Sequence, residues 1–537
     1  PFSERGIDNP FEELDLDPFM PHAQLGVRSI VKSIEHAKTD ANVKGIYLDI
    51  RHIEAGFASV EEIRNALIDF KTSKKFIYAY SEIYSQKSYY LASTATKLYM
   101  NPQGGMEFKG LSAQLMFMKN MFEKLGIEMQ VFRHGKFKSA IEPFMLDKMS
   151  EANRLQTETY INSIWNSMLE GISKERGISV AKLNELANNL AINSTEDALN
   201  NKMVDGLLYE DEVMALLKKD LKLAEKDKIV FAEIAKYQKT VKESRKEKKL
   251  SSKQPKIALI YAVGQIQSGE GDEETIGSDR IAKAIKDARL DTTVKAIVLR
   301  VNSPGGSALA SDVIWREMTL AKKVKPTIVS MGDVAASGGY YISCAADRIF
   351  AQPNTITGSI GVFGILPNMQ KAFADKLGIN IDTVNTNKHS DVGTPFRKVS
   401  EPEFNYIQSS VEKVYETFIS RVAEGRKTTT ALVDSIGQGR VWSGVDALKI
   451  NLVDEIGGTN DAIAYAAKMA KVSDYKIEEM PKRKDQFAMF LNNKEDEMES
   501  RLIKKNLGSQ YQFLNYVKTI VNLKGVQARL PYEISIN

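Results

Sequence analysis

The sequence holds a single cysteine, Cys344, among its 537 residues. That excludes a disulfide framework within the chain and leaves the redox compartment unread. A lone cysteine in an apolar stretch is expected to be a small core residue. Histidine is scarce as well, limited to His22, His36, His52, His134 and His389. None has metal-ligand spacing, and neither HExxH nor CxxC occurs, so no metal centre is expected. There is no Walker A loop, and no cofactor is indicated. No run of eighteen or more apolar residues exists, so nothing reads as a membrane-spanning helix. Charge of one sign is lacking too. The net charge of +4 is small for this length and gives no argument for nucleic acid.

What is present is the composition of a globular protein, in a chain long enough for two to four domains. Two stretches match without a gap at an offset of 251 (291 − 40): Asp40-Ala41-Asn42-Val43-Lys44 lies over Asp291-Thr292-Thr293-Val294-Lys295. The same register pairs Ile30 with Ile281, Ile46 with Ile297, Leu48 with Leu299, Tyr89-Tyr90 with Tyr340-Tyr341, and Gly110 with Gly361. After a one-residue shift, Lys124-Leu125-Gly126-Ile127 falls on Lys376-Leu377-Gly378-Ile379, and Pro143-Phe144 on Pro395-Phe396. Chance does not hold such pairs in one register across most of two halves, so the chain reads as a diverged tandem repeat. The expected organisation is a first copy over 20–235, a basic linker over 236–256, a second copy over 257–475 and a helical tail over 476–537.

Each copy reads as α/β. Ala296 to Val301 is a short β-branched apolar run, expected as a buried strand. Ser307 to Lys323 has helical periodicity with Ser307 as N-cap. Pro326 to Met331 is a second strand, Ser337 to Ala346 a short helix, and Arg348 to Gln352 and Ile360 to Ile365 further strands. This rhythm implies mostly parallel sheets with helices packed on them.

Two turns carry chemistry. Asn302-Ser303-Pro304-Gly305-Gly306-Ser307 lies where a buried strand gives way to a helix. Its glycines allow close backbone approach, and the helix N-terminus adds partial positive charge, a setting suited to an oxyanion. Ala335-Ala336-Ser337-Gly338-Gly339-Tyr340-Tyr341 repeats the arrangement with a serine at the helix start. There a serine either caps the helix or serves as a nucleophile beside the next N–H. The first copy has Gln86 opposite Ser337 and Arg51-His52-Ile53-Glu54-Ala55 opposite the first turn. It carries instead Lys138, whose counterpart in the second copy is Ser390 (138 + 252). Each half has what the other lacks.

With these motifs on view, the chain resembles the long, tandem-domain signal peptide peptidase A (protease IV) family, within the Clp-protease/crotonase-like superfamily. The matching residues are Arg300 to Ser307, Ala336 to Tyr341, Thr357-Gly358-Ser359-Ile360-Gly361-Val362 and Lys138 to Phe144. The resemblance implies two tandem diverged copies of a Clp/crotonase-like α/β domain. It implies a serine endopeptidase whose nucleophile is Ser337 and whose general base is Lys138. It also implies an oxyanion hole from Gly306 and Gly338, with the Ser359 hydroxyl orienting the lysine. The implied substrates are hydrophobic peptides such as remnant signal peptides. The implied setting is the outer, periplasmic side of the bacterial cytoplasmic membrane, with attachment through an N-terminal anchor absent from this chain. The implied assembly is a homo-oligomer, a tetramer, with inward-facing sites.

Such a mechanism needs Lys138 neutral. An ordinary lysine amine has a pKa near 10.4, and neutrality at pH 7 costs roughly 4 kcal/mol, which substantial burial can impose. Lys138 is therefore expected to be buried between the copies with no carboxylate partner. Glu142, four residues on, must point elsewhere. His134 lies close enough in sequence to make a Ser–His pairing worth checking. The alternative function is a crotonase-like acyl-CoA enzyme, because oxyanion-stabilising turns also serve thioester chemistry. The tail, Met498 to Leu523 above all, mixes apolar and basic residues, as a packing or membrane-surface helix would.

Overall fold

The computed structural model describes residues 2–6, 24–50, 53–246, 254–482 and 526–530. Arg51, His52, His22 and most of the tail lie outside the described residues.

The first copy is built on a four-stranded parallel sheet. Its strands run in the order Gly45–Asp49, Phe76–Tyr84, Lys97–Met106 and Gly206–Leu207. The second copy has the larger, mostly parallel sheet. Strand Val294–Ser303 lies at its centre between Lys256–Val263 and Thr327–Ala336. Ala296 to Val301 are fully buried, as a strand covered on both faces must be. Helix Ala308–Lys322 starts as expected, with Ser307 accepting a hydrogen bond from Ala310 N at 3.3 Å.

The repeat survives in the long helices. Glu151–Arg176 and Glu401–Arg426 each have 26 residues and start behind a serine N-cap, Ser150 and Ser400. The first ends on Gly177 in the left-handed conformation, where lack of a Cβ removes the strain.

A third, six-stranded sheet joins the two copies. Strand Glu128–Arg133 of the first copy pairs antiparallel with Phe363–Asn368 of the second, from Phe363 opposite Arg133 to Asn368 opposite Glu128. The apolar core is continuous as well. Ala336, Ile356 and Val441 of the second copy pack into the core cluster of the first. Asp333 accepts from Ser59 N at 2.8 Å and from the Ser59 hydroxyl at 2.7 Å.

Three expectations need correction. The basic stretch 236–256 opens as the helix Ile234–Lys246. Tyr237 and Val241, one turn apart, supply its packing face, and the Tyr237 hydroxyl donates to Asp40 Oδ2 at 2.9 Å. The helical tail begins as a strand: Lys476–Met480 pairs in parallel with Lys256–Val263. Within the tail, Gln527–Arg529 is also a strand. The strand expected at Ile360 to Ile365 starts three residues later, at Phe363. The residues before it turn sharply, because Ser359 has φ 49° and Ser359 N donates to Arg440 O at 2.7 Å.

Candidate active site

Ser337 sits between strand Thr327–Ala336 and helix Gly338–Ser343. Its backbone adopts φ 55° and ψ −114°, and its hydroxyl makes no capping bond. A residue with a Cβ held in that region costs about 1–3 kcal/mol and persists only when its surroundings over-determine it. Here Ser337 N donates to Gly358 O at 2.8 Å, and Tyr341 N donates to Ser337 O at 2.8 Å. The glycines behind it leave no room for side chains. A Cβ on Gly338 would lie 2.7 Å from Ser311 Oγ, and one on Gly339 2.8 Å from Ser303 O. The simple capping role for Ser337 does not hold. The strained turn aims the hydroxyl away from the helix.

It aims it at Lys138. The amine Nζ lies 2.9 Å from Ser337 Oγ, 3.1 Å from Ser359 Oγ and 3.3 Å from Ser359 O. Strand Glu128–Arg133 carries the first copy into the second, and the loop after it is clasped there. Phe137 N donates to Gln438 O at 3.0 Å. Gln156 bridges the copies, donating to Phe137 O at 3.1 Å and to Ser139 Oγ at 2.9 Å, and accepting from Val441 N at 3.2 Å. Gly439 permits the approach, since a Cβ there would lie 2.6 Å from Lys138 Cα.

Lys138 and Ser337 are both fully buried. Burial alone holds the Lys138 amine well below the usual lysine range, with no charge entering as a cause. Glu142 is turned away, as required: it accepts from Ser150 N at 3.1 Å, Ser150 Oγ at 2.6 Å and Asn153 Nδ2 at 2.9 Å. A neutral amine has two N–H bonds and one lone pair. Three oxygens around Nζ match that set, with the two Ser359 oxygens accepting and the Ser337 hydroxyl facing the lone pair. Such an arrangement can take a proton from Ser337.

His134 does not compete for this role. Its Nδ1 pairs with Glu412, and its ring stacks on Tyr415 at 3.7 Å between centroids. His36 bonds the Tyr237 hydroxyl and His389 bonds Glu403. Cys344 is a buried core residue whose thiol burial pushes up to about 12.

The Gly305–Gly306 turn lies beside Ser337. A Cβ on Gly305, at φ 97°, would stand 2.7 Å from Gly338 N, so the turn that carries Gly306 lies against the start of the helix behind Ser337. In the first copy the equivalent places are filled. Gln86 donates to Gly110 O at 2.9 Å and accepts from Lys109 N at 2.9 Å and Gly110 N at 2.8 Å. Lys87, opposite Gly338, donates its amine to Ala55 O at 2.7 Å.

Sequence reasoning missed two parts of this site. One is the Arg300 guanidinium, fully buried, which bonds Glu4 and pairs with Glu62 at 2.6 Å. It also donates to Ser330 Oγ at 2.8 Å, fixing the strand that feeds the Gly305 turn. Arginine in an apolar run was the available signal. The other is strand Gln527–Arg529, which no periodicity announced.

A mostly parallel α/β core that presents a strained serine at a strand-to-helix turn is the framework of a serine hydrolase. The family follows from likeness of sequence. The profile of Peptidase family S49 matches residues 69–224 and 319–473, and that of Clp protease matches residues 264–357. Protease 4 of Salmonella typhi is 39% identical over 459 residues, spanning 84% of this chain and 73% of the relative. Protease 4 of Haemophilus influenzae is 35% identical over 474 residues, 85% of this chain and 76% of the relative. The chloroplastic serine protease SPPA of Arabidopsis thaliana is 34% identical over 455 residues, 83% of this chain and 66% of the relative. The chain belongs to Peptidase family S49, with two tandem S49 regions, and is a serine peptidase.

Proposed function

We propose that the chain is an endopeptidase with a Ser–Lys dyad made within one polypeptide. Ser337 Oγ attacks the scissile carbonyl, and Lys138 takes its proton and passes it to the leaving amine. The N–H groups of Gly306 and Gly338 hold the oxyanion, and Ser359 orients the lysine. The observation that carries this reading is the 2.9 Å contact between Lys138 Nζ and Ser337 Oγ in a site where the lysine meets no carboxylate. Ser337→Ala and Lys138→Ala test it: each should lower hydrolysis of a hydrophobic fluorogenic peptide about 10⁴-fold in a folded protein. Retained activity in either variant removes that residue from the dyad. An acyl-CoA enzyme would need neither group and would bind coenzyme A, so absence of that binding separates the two.

The substrates we assign are extended hydrophobic peptides, remnant signal peptides among them, in keeping with the resemblance of the motifs. Cleavage beside a membrane is part of this reading. Among the described residues no helix is long and apolar enough to cross one.

Assembly into a homo-oligomer draws support from the repeat. Strand Glu128–Arg133 has its equivalent at 380–385, and this second segment is exposed, with Val384 97% and Ile381 48% accessible. The partner strand Phe363–Asn368 has its equivalent at 112–117, where alternate residues are also exposed and Met116 is 61% accessible. Pairing 380–385 of one chain with 112–117 of the next would repeat the internal contact head to tail and close a ring, a tetramer in this proposal. Light scattering on Val384→Lys tests it, with dissociation expected and an unchanged mass overturning it.

A further inference from the structure

Lys138 is seated by a turn of the second copy that follows helix Thr430–Ile436. Phe137 N donates to Gln438 O at 3.0 Å, Gly439 N to Ile360 O at 2.7 Å, and Ser359 N to Arg440 O at 2.7 Å. One turn therefore holds both the loop that carries the lysine and the residue whose hydroxyl touches its amine. Its contact with the lysine stem is close. A Cβ on Gly439 would lie 2.6 Å from Lys138 Cβ, and one on Gly361 3.3 Å from Lys138 Cδ. The Arg440 guanidinium braces the same place, 5.1 Å from the Phe137 ring centroid and 4.2 Å from that of Trp442.

The backbone that makes this clasp needs support. Gln438 has φ 52°, in the left-handed region that residues with a Cβ seldom occupy. The support is Tyr415, from the long helix Glu401–Arg426. Its hydroxyl donates to Asp434 Oδ1 at 2.6 Å and accepts from Gln438 N at 3.2 Å. A phenol has one hydrogen to give, so Asp434 fixes that hydrogen and leaves the oxygen to face Gln438 N. Burial and the Asp434 carboxylate hold the phenol above the usual tyrosine range, so it stays protonated. The ring is fixed as well. Tyr415 is 2% exposed and stacks on His134, which bonds Glu412 of the same helix. His134 and Phe137 both belong to the segment that brings Lys138 into the second copy. Tyr415 thus grips that segment twice, through its ring at His134 and through Gln438 at Phe137. None of these charges enters as a cause of the lowered Lys138 pKa, so the grip is geometric.

We propose that Tyr415 is a positioning residue for the general base: its hydroxyl locks the turn at Gln438 in the conformation that seats Lys138 against Ser337 and Ser359. This rests on the dyad described above. Without the hydroxyl, Gln438 N loses its acceptor and the turn leaves the left-handed conformation. The Gln438 carbonyl then swings from Phe137 N, and the loop carrying Lys138 loosens. Two effects follow. The amine no longer meets the serine hydroxyl squarely, which slows proton transfer. Water also reaches the amine, which disfavours its charged form less than the closed site does, so its pKa climbs toward the ordinary lysine value.

The test is the pH profile of peptide hydrolysis by Tyr415→Phe, which keeps the ring, the stack on His134 and the core volume, with a thermal melt to show that it folds. Its kcat is expected to fall about 10–100-fold with KM nearly unchanged. The acid limb of kcat/KM is expected to move to higher pH. The double variant Tyr415→Phe with Gln438→Gly should recover most of the lost kcat, because glycine enters the left-handed region without strain. Wild-type kcat and an unmoved limb in Tyr415→Phe overturn the inference. So does a loss of kcat that leaves the limb in place, or one that Gln438→Gly does not relieve, since either describes general weakening of the fold. Lys138→Ala, run beside them, separates this from the dyad. If Lys138→Ala keeps its activity, the dyad falls and the inference with it. If Lys138→Ala is inactive while Tyr415→Phe matches wild type, the dyad stands and the inference alone is lost.

Discussion

Lys138 and Ser337 stand 199 residues apart in the chain and 2.9 Å apart in space, both enclosed and with no carboxylate on the lysine. The contact exists because strand Glu128–Arg133 leaves its own repeat to pair with Phe363–Asn368. Each half thus supplies the group that the other has replaced. Gln86, which stands opposite Ser337, uses its amide to clamp Lys109 and Gly110.

The first prediction concerns pH. Burial lowers the Lys138 pKa, so the amine loses its proton below the usual lysine range. The base form is needed, and kcat/KM is therefore expected to fall as pH drops through the lowered pKa and to level off above it. A profile flat from pH 5 to 10 would remove the lysine from the mechanism.

Ser359 is expected to act through Lys138. Its hydroxyl accepts from Nζ at 3.1 Å, and such a bond is stronger to an ammonium than to an amine. Ser359→Ala should lower kcat about 10–100-fold through misplacement of the amine, with KM nearly unchanged. It should also move the acid limb of the profile to lower pH, because the charged form loses more. A structural role alone would leave that limb in place.

How far the sequence reached depends on which interactions are local. Buried strands such as Val294–Ser303 are legible because parallel strands covered on both faces leave an apolar run. The serine and the lysine were legible through the repeat, which exposed a reciprocal loss. The strand at Lys476–Met480 was not. Its residues include good helix formers, and pairing along the edge of Lys256–Val263 overrides that preference. Nor could the sequence reveal the φ of 55° at Ser337, since that angle is imposed by contacts from Gly358 and the glycines behind it. Gln527–Arg529 carries no period at all, and only its pairing partners define it.

Lys138 is expected to cost stability at neutral pH. Its folded pKa is lowered, so between that value and the unfolded value of about 10.4 the unfolded chain binds more protons. Stability then rises with pH across that window. Lys138→Met keeps the volume and removes the penalty. Its apparent melting temperature should exceed that of wild type at pH 7, by about 1 °C for each kcal/mol gained in a cooperative unit of this size. The difference should shrink as pH approaches 10. Calorimetry at pH 7 and pH 10 checks it, and an unchanged or lower melting temperature at pH 7 would show that the amine carries no such penalty.

The strain at Ser337 gives a comparison between two inactive variants. Alanine keeps the Cβ in the φ 55°, ψ −114° region, whereas glycine enters it freely. Glycine also gives the unfolded chain more freedom, an opposing effect of about 0.4–1 kcal/mol. Strain of about 1–3 kcal/mol exceeds that, so Ser337→Gly should unfold at higher denaturant than Ser337→Ala. Equal midpoints would mean that the turn relaxes once the hydroxyl is gone.

The hollow beside Ser337 can be filled without touching the dyad. Gly305 has φ 97°, and a Cβ there would stand 2.1 Å from Ala528 O and 2.7 Å from Gly338 N, in the space that the proposed oxyanion hole assigns to a scissile carbonyl. Gly305→Ala is therefore expected to lower kcat/KM about 10²–10³-fold, the scale of losing one oxyanion donor. Ser337 and Lys138 would remain in contact, so a fluorophosphonate small enough to avoid the hollow should still label Ser337, although more slowly. Full peptidase activity in Gly305→Ala would mean that the attacked carbonyl lies elsewhere, and the assignment of Gly306 as a donor would fall with it.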